Sequence, residues 1–192
     1  MRHGRHPALR IATGVCLALA AGGGGGRVDA QEITQEQALR LAFPPPARVE
    51  RRTAYLDDTH LERARALAGR DAEIESTVVS YYVGFEGDRP LGAAYFDAHR
   101  VRTLPEVLMI VVNPAGRLQR VELMRFAEPP EYSPPARWLG QLIGRVLDDD
   151  LSERRGIAGI TGATLTTRAV ARAARRVLAL HRVIDPFEVG PQ

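Results

Sequence analysis

Between residues 76 and 129 the chain alternates short apolar, β-branched runs with turn formers. The runs are STVVSYYVGFEG (76–87), LGAAYFDAHRV (91–101), EVLMIVVNP (106–114) and RLQRVELMRFAEP (117–129), each bounded by Gly, Pro, Asp or Asn. This pattern predicts a meander of four strands, and the links are too short for anything but antiparallel pairing. Asn113-Pro114-Ala115-Gly116 is a turn by composition. In 117–126, Leu118, Val121, Leu123 and Phe126 alternate only in part, which predicts a bulge.

Helical periods flank the meander. Thr34-Gln35-Glu36-Gln37 reads as a capping box that opens a short helix, stopped after Phe43 by Pro44-Pro45-Pro46. Residues 48–56 are extended by pattern. Asp58 or Thr59, with Glu62 behind it, caps a second helix that ends at Gly69. Pro134-Pro135 introduces a predicted helix over 136–147, with Trp138, Leu139, Leu142, Ile143, Val146 and Leu147 on one face. Residues 148–158 form a solvated connection. A long helix is predicted from Thr166 to Val183, with Ala169, Val170, Ala173, Val177, Leu178 and His181 near one stripe. The expected fold is α+β: an antiparallel meander of four or more strands packed with helices, the last and longest following the segment GITGAT.

The first thirty residues are of another kind. Arg2, Arg5 and Arg10 precede the short apolar run IATGVCLALAA, and Val28-Asp29-Ala30 is a small-x-small cleavage site. The apolar run is about half of the roughly 20 residues that span a bilayer. The expected organisation is a signal peptide over 1–30, one domain over 31–184 and a tail over 185–192. An uncleaved anchor is the alternative. Export would place the domain in the periplasm or on the outer face of the cytoplasmic membrane.

Charge and composition then exclude several classes. The 192-residue chain has a formal charge of +3, and all of that excess lies within 1–30. The remainder is neutral and has no electrostatic reason to bind nucleic acid. The single cysteine, Cys16, lies in the apolar leader, so a mature chain would have no thiol chemistry and no disulfide. All basic residues are Arg, which removes Schiff-base chemistry and a P-loop lysine. His60, His99 and His181 show no metal-ligand spacing, and no metal site is expected. No G-x-S-x-G and no G-x-G-x-x-G after a strand are found.

What remains is Thr161-Gly162-Ala163-Thr164, followed by Leu165-Thr166-Thr167, at the start of the long helix. A helix N-terminus offers unpaired N–H groups and the positive end of a dipole, so it accepts phosphate. Gly162 and Ala163 allow close approach to the backbone. The plain reading is that Thr164, Thr166 or Thr167 is an N-cap. The other is that one hydroxyl is esterified to a phosphate.

The stretch Thr161-Gly162-Ala163-Thr164 resembles the [ST]-G-A-T motif of the FMN-binding domain family, which includes the FMN-carrying subunits of sodium-pumping NADH:quinone reductase and of Rnf complexes. Ala38-Leu39-Arg40-Leu41-Ala42-Phe43-Pro44 resembles the opening of stand-alone exported members. So do His99-Arg100-Val101-Arg102-Thr103, and Glu128, Pro129 and Tyr132 ahead of Trp138 and Leu139. The likeness runs over roughly 36–182.

The resemblance implies FMN as cofactor, joined through its phosphate to Thr164 by a flavin transferase that uses FAD and Mg²⁺. Thr161, Gly162, Ala163, Leu165 and Thr166 would surround the phosphate, with Arg168 a further source of positive charge. His99, Arg102 and Glu128 are candidates for the flavin pocket. Arg102 has an alternative as the ion-pair partner of Glu106, and Trp138 as core rather than a stacking surface. The implied role is an exported electron carrier working with membrane or periplasmic redox partners, more than a stand-alone catalyst. The family motif carries an acidic residue three positions before its first hydroxyl residue, where this chain has Ala158. That departure supports a second reading, a module of the same fold that binds or assembles without covalent flavin.

Overall fold

A computed structural model describes residues 32–152 and 155–188. The leader expected over 1–30 and the cleavage site at its end lie outside the described residues.

The elements are α1 (Gln35–Ala42), β1 (Arg48–Tyr55), α2 (Asp58–Ala68), β2 (Val78–Glu86), β3 (Arg89–Arg100), β4 (Pro105–Val112), β5 (Leu118–Phe126), α3 (Ala136–Leu139) and α4 (Thr164–Ile184). The strands form one sheet in chain order, and every pair is antiparallel. The meander therefore gains β1 as a fifth strand on the β2 edge. The partial alternation in β5 appears as two register shifts against β4, at Val107/Leu108 and Val111/Val112. β4 is apolar on both faces because both are covered: Leu108, Met109, Ile110, Val111 and Val112 are all fully buried.

One face of the sheet carries the main core. Tyr95, Leu108 and Ile110 pack against Trp138 and Leu142 from α3 and its 3₁₀ extension, and against Val170, Ala173 and Val177 of α4. The expected stripe of α4 is buried throughout, His181 included. α2 packs beside the second half of α4 through Leu61, Ala64 and Ala68, against Ala179, Leu180 and Val183. The opposite face is closed by α1 and its exit, with Ala38 and Phe43 over Ala94, Met109 and Met124. Thr34 forms the full capping box with Gln37 that its sequence predicts.

Three expectations are corrected. The cap of α2 is Asp57, whose carboxylate accepts from the backbone N–H of His60. The helix expected over 136–147 stops as an α-helix at Leu139 and as a 3₁₀ turn at Leu142. Gly140 and Gly144 weaken helix propensity there, and Gly144 sits at φ +82°. The backbone beyond also has another partner: Gly144 N–H donates to Leu118 O (2.7 Å), and Leu118 N–H to Arg145 O (2.9 Å). Ile143 is consequently half exposed rather than on a buried face. Finally, α4 begins at Thr164, two residues before the predicted start.

The exit of α1 depends on one close approach. The ring of Phe43 lies directly over Gly84 in β2, where any Cβ would collide with it. Gly84→Ala is expected to displace Phe43 and cost about 1–3 kcal/mol. Chemical denaturation should show the loss, and a Gly84→Ala/Phe43→Leu double variant should recover part of it.

Candidate functional site

The candidate site begins where the chain returns to the sheet. Residues 156–158 run beside 138–145: the Arg145 guanidinium donates to Gly156 O (2.8 Å), Ala158 N–H donates to Gln141 Oε1 (3.2 Å), and Trp138 Nε1–H donates to Ala158 O. Trp138 is therefore a core residue whose polar edge holds the approach to the motif. The position of the family's acidic residue is occupied by an exposed Ala158, with its backbone engaged on both sides.

The motif is a tight turn into α4. Ala163 N–H donates to Ile160 O (3.1 Å). Gly162 sits at φ +89° with open space where a side chain would be, which suits glycine alone at little cost. Thr161 and Gly162 are exposed, Ala163 is buried and Thr164 is half-buried. None of the threonines is the N-cap. That position is Ala163, which provides no side-chain acceptor.

The hydroxyls bond backwards instead. Thr164 Oγ1 donates to Ile160 O (3.3 Å), and Thr167 Oγ1 to Ala163 O (3.3 Å) and Thr164 O (3.1 Å). The first backbone N–H to find a helical acceptor is that of Thr167, bonded to Ala163 O (3.0 Å). Among the described residues, the N–H groups of Thr164, Leu165 and Thr166 have no acceptor. Three free donors thus sit at the positive end of a 21-residue helix, beside a partly accessible hydroxyl and an exposed Leu165. The donor set suits a phosphate group.

The other candidates lie at the same end of the molecule but make separate contacts. The C-terminal part of α4 lies by the β4–β5 turn, where His181 and Asp185 line a recess with Pro114 and Gly116. Arg176 reaches Asp97, farther along β3. The start of α4 therefore points toward the β3–β4 loop. Glu128 Oε1 accepts from three successive N–H groups of that loop: Arg102 (3.2 Å), Thr103 (2.9 Å) and Leu104 (2.9 Å). These bonds, foremost those from Leu104 and Thr103, hold its carboxyl below the ordinary range. The Arg102 guanidinium stacks on Tyr132, 4.1 Å from the ring centroid. It does not take Glu106 as its partner, because Glu106 bonds to His99.

His99 belongs to a buried chain of charges. Arg176 donates twice to Asp97 (2.8 and 2.7 Å), Asp97 pairs with His99 Nδ1 (2.8 Å), and His99 Nε2 pairs with Glu106 Oε2 (2.8 Å). Glu106 is fully buried, and its Oε1 has no partner among the described residues. Burial alone would lower His99, but its bonds to Asp97 and Glu106 outweigh this and raise it to about 9. Burial would raise Asp97, but bonds from His99 and Arg176 bring it to about 2. Burial raises Glu106, offset in part by His99.

Asp97, Glu106 and Arg176 were not among the sequence candidates. The available signal was a charge at the edge of an apolar strand. The missing information was the register that sets Glu106 opposite His99. The remaining histidines stand apart. His60 is exposed beside Asp57. His181 is buried, lowered to about 4 by that burial, with its Nδ1 3.0 Å from Tyr95 Oη. Among the described residues, no group of three or more His, Cys, Asp or Glu side chains is placed to hold a metal ion.

A helix that opens on three N–H groups without an acceptor among the described residues, packed across a five-stranded antiparallel sheet, makes this a domain of α+β class. Residues 105–179 match the family model of the FMN-binding domain, and FMN is the cofactor this match supports. The segment includes the motif and Glu106 and Glu128, and leaves out Asp97, His99 and Arg102. The crystal structure of NqrC from Shewanella oneidensis shares the fold, with a TM-score of 0.53 at 15% sequence identity, over 74% of this chain and 85% of that one. No curated protein sequence matches the chain.

Two predictions follow from the charge chain and the loop clamp. His99 is held near 9 when folded, against 6.5 when free. Its stabilisation is complete below 6.5 and is lost as pH climbs through 9. The wild type should therefore lose thermal stability between pH 6.5 and 9.5, and His99→Gln should show a flatter profile across the same range. Glu128→Ala should leave the global melt nearly in place while amide exchange at 102–104 speeds up.

Proposed function

We propose that the protein is an exported FMN carrier that passes electrons between membrane or periplasmic redox partners, with FMN joined to Thr164 through its phosphate. One observation carries this reading: the half-buried Thr164 hydroxyl adjoins three backbone N–H groups that have no acceptor among the described residues. The fold likeness and the family of residues 105–179 support FMN as the group held there.

When bound, FMN supplies one- and two-electron chemistry through its isoalloxazine ring. The chain's own part is attachment and charge. For the attachment, Thr164 Oγ1 would give up its bond to Ile160 O and accept the FMN phosphoryl group of FAD, with AMP as the leaving group and the hydroxyl proton lost to solvent. A flavin transferase with Mg²⁺ would catalyse that step. Afterwards the N–H groups of 164–166 and the helix dipole offset the phosphate charge. Arg102 and Glu128 would act at the loop beside the ring, while His99 stays in the buried charge chain on β3. Glu128 shapes that loop, and Arg102 places positive charge on it.

The observation favouring the second reading is Ala158. With no carboxylate at that position, a transferase would lack one recognition feature, and the domain would serve as a binding or assembly module without covalent flavin.

Intact mass separates the two readings. The protein is made in an exporting host with a flavin transferase, beside Thr164→Ala. The expected result is a gain of one FMN less one water in the wild type and none in the variant. No gain in either, with no flavin released on denaturation, would overturn the carrier reading. Loss of residues 1–30 in the same spectrum would test the export signal.

A further inference from the structure

The outer face of α4 carries a feature that the flavin reading does not use. Arg168, Arg172 and Arg175 lie at i, i+4 and i+7, one stripe on the side away from the sheet. With Arg70 and Arg155 they line a cleft of about 480 Å³ between the end of α2, the turn after Asp148 and α4. Its lining holds five arginines and two carboxylates, Asp71 and Asp149.

The arginines are not equivalent. Arg175 ties the walls together, donating from Nε to Ala68 O (2.9 Å) and from Nη1 to Asp148 O. Arg155 pairs with Asp149 (2.7 Å). Arg168 has partners of its own. Arg70 and Arg172 have no hydrogen-bond or ion-pair partner among the described residues, and both are exposed. Like charges at i, i+4 repel, so stability alone does not account for this stripe. The floor is small, formed by Ala68, Gly69 and Ala171, which leaves room for an atom group between the guanidinium forks. The volume is that of a small-ligand site. Planar forks with paired donors match carboxylate and phosphate oxygens alike, and a phosphate brings more oxygens and more charge to two facing forks.

We propose that this cleft binds a phosphate-bearing anion, held between Arg70 and Arg172 with Arg175 at its base. The same chemistry could be presented by a soluble diphosphate or by the head group of an anionic phospholipid. The proposal does not depend on flavin at Thr164, so protein made without a flavin transferase is the right material.

Inorganic pyrophosphate is titrated by calorimetry at low salt. In parallel, co-sedimentation compares vesicles containing phosphatidylglycerol with pure phosphatidylcholine vesicles. The expected result is saturable binding of pyrophosphate, or selective binding to the anionic vesicles, weakened roughly tenfold or more in Arg70→Ala/Arg172→Ala. Neither side chain has a partner to lose among the described residues, so the variant should melt as the wild type does. Pyrophosphate binding alone identifies a soluble ligand, and vesicle binding alone a head group. No binding in either arm would overturn the proposal, as would binding that the double variant leaves unchanged.

Discussion

Everything at the functional end of this molecule depends on one helix lying in one place. The apolar stripe of α4 is buried against β3, β4 and the 138–142 segment, and its second half is clasped by α2. A helix of 21 residues is about 31 Å long, enough to reach from one end of the sheet to the other. With its stripe seated, the helix has no freedom to slide or roll. Its first turn must then face the β3–β4 loop, its Arg176 must meet Asp97, and its remaining arginines must face outward.

The first turn shows how local chemistry can keep a helix end available. Threonine usually earns its place at such a position by capping the backbone. Here the hydroxyls of Thr164 and Thr167 turn toward carbonyl oxygens, and the preceding Ala163 has nothing to give. The backbone donors are left for an incoming anion. A serine or aspartate at 163 would offer one of them a side-chain acceptor, which alanine does not.

Much of the fold was legible in the sequence because strand and helix periods are local. Short apolar runs between turn formers define β2 to β5, and Thr34 with Gln37 defines the start of α1. The failure at 136–147 has a non-local cause: the apolar spacing is helical, but the backbone at 144 and 145 bonds to Leu118. The site divides in the same way. The motif is contiguous, so its small residues and helix start could be read directly. The chain from Arg176 through Asp97 and His99 to Glu106 joins three separate elements, and no spacing announces it. Glu128 was identified as a candidate, yet its clamp on 102–104 depends on how two distant loops meet.

The two outer strands of the sheet are protected by different means. β5 is partly covered, by Ile33 bonding to Met124 O (3.2 Å) and by 144–145 pairing with Leu118. Among the described residues, β1 has only β2 beside it in the sheet, and its sequence RVERRTAY is dense in charge. A second copy approaching that border in register would set arginine against arginine at its centre. The sheet therefore ends at β1 on a border whose charge disfavours a second copy.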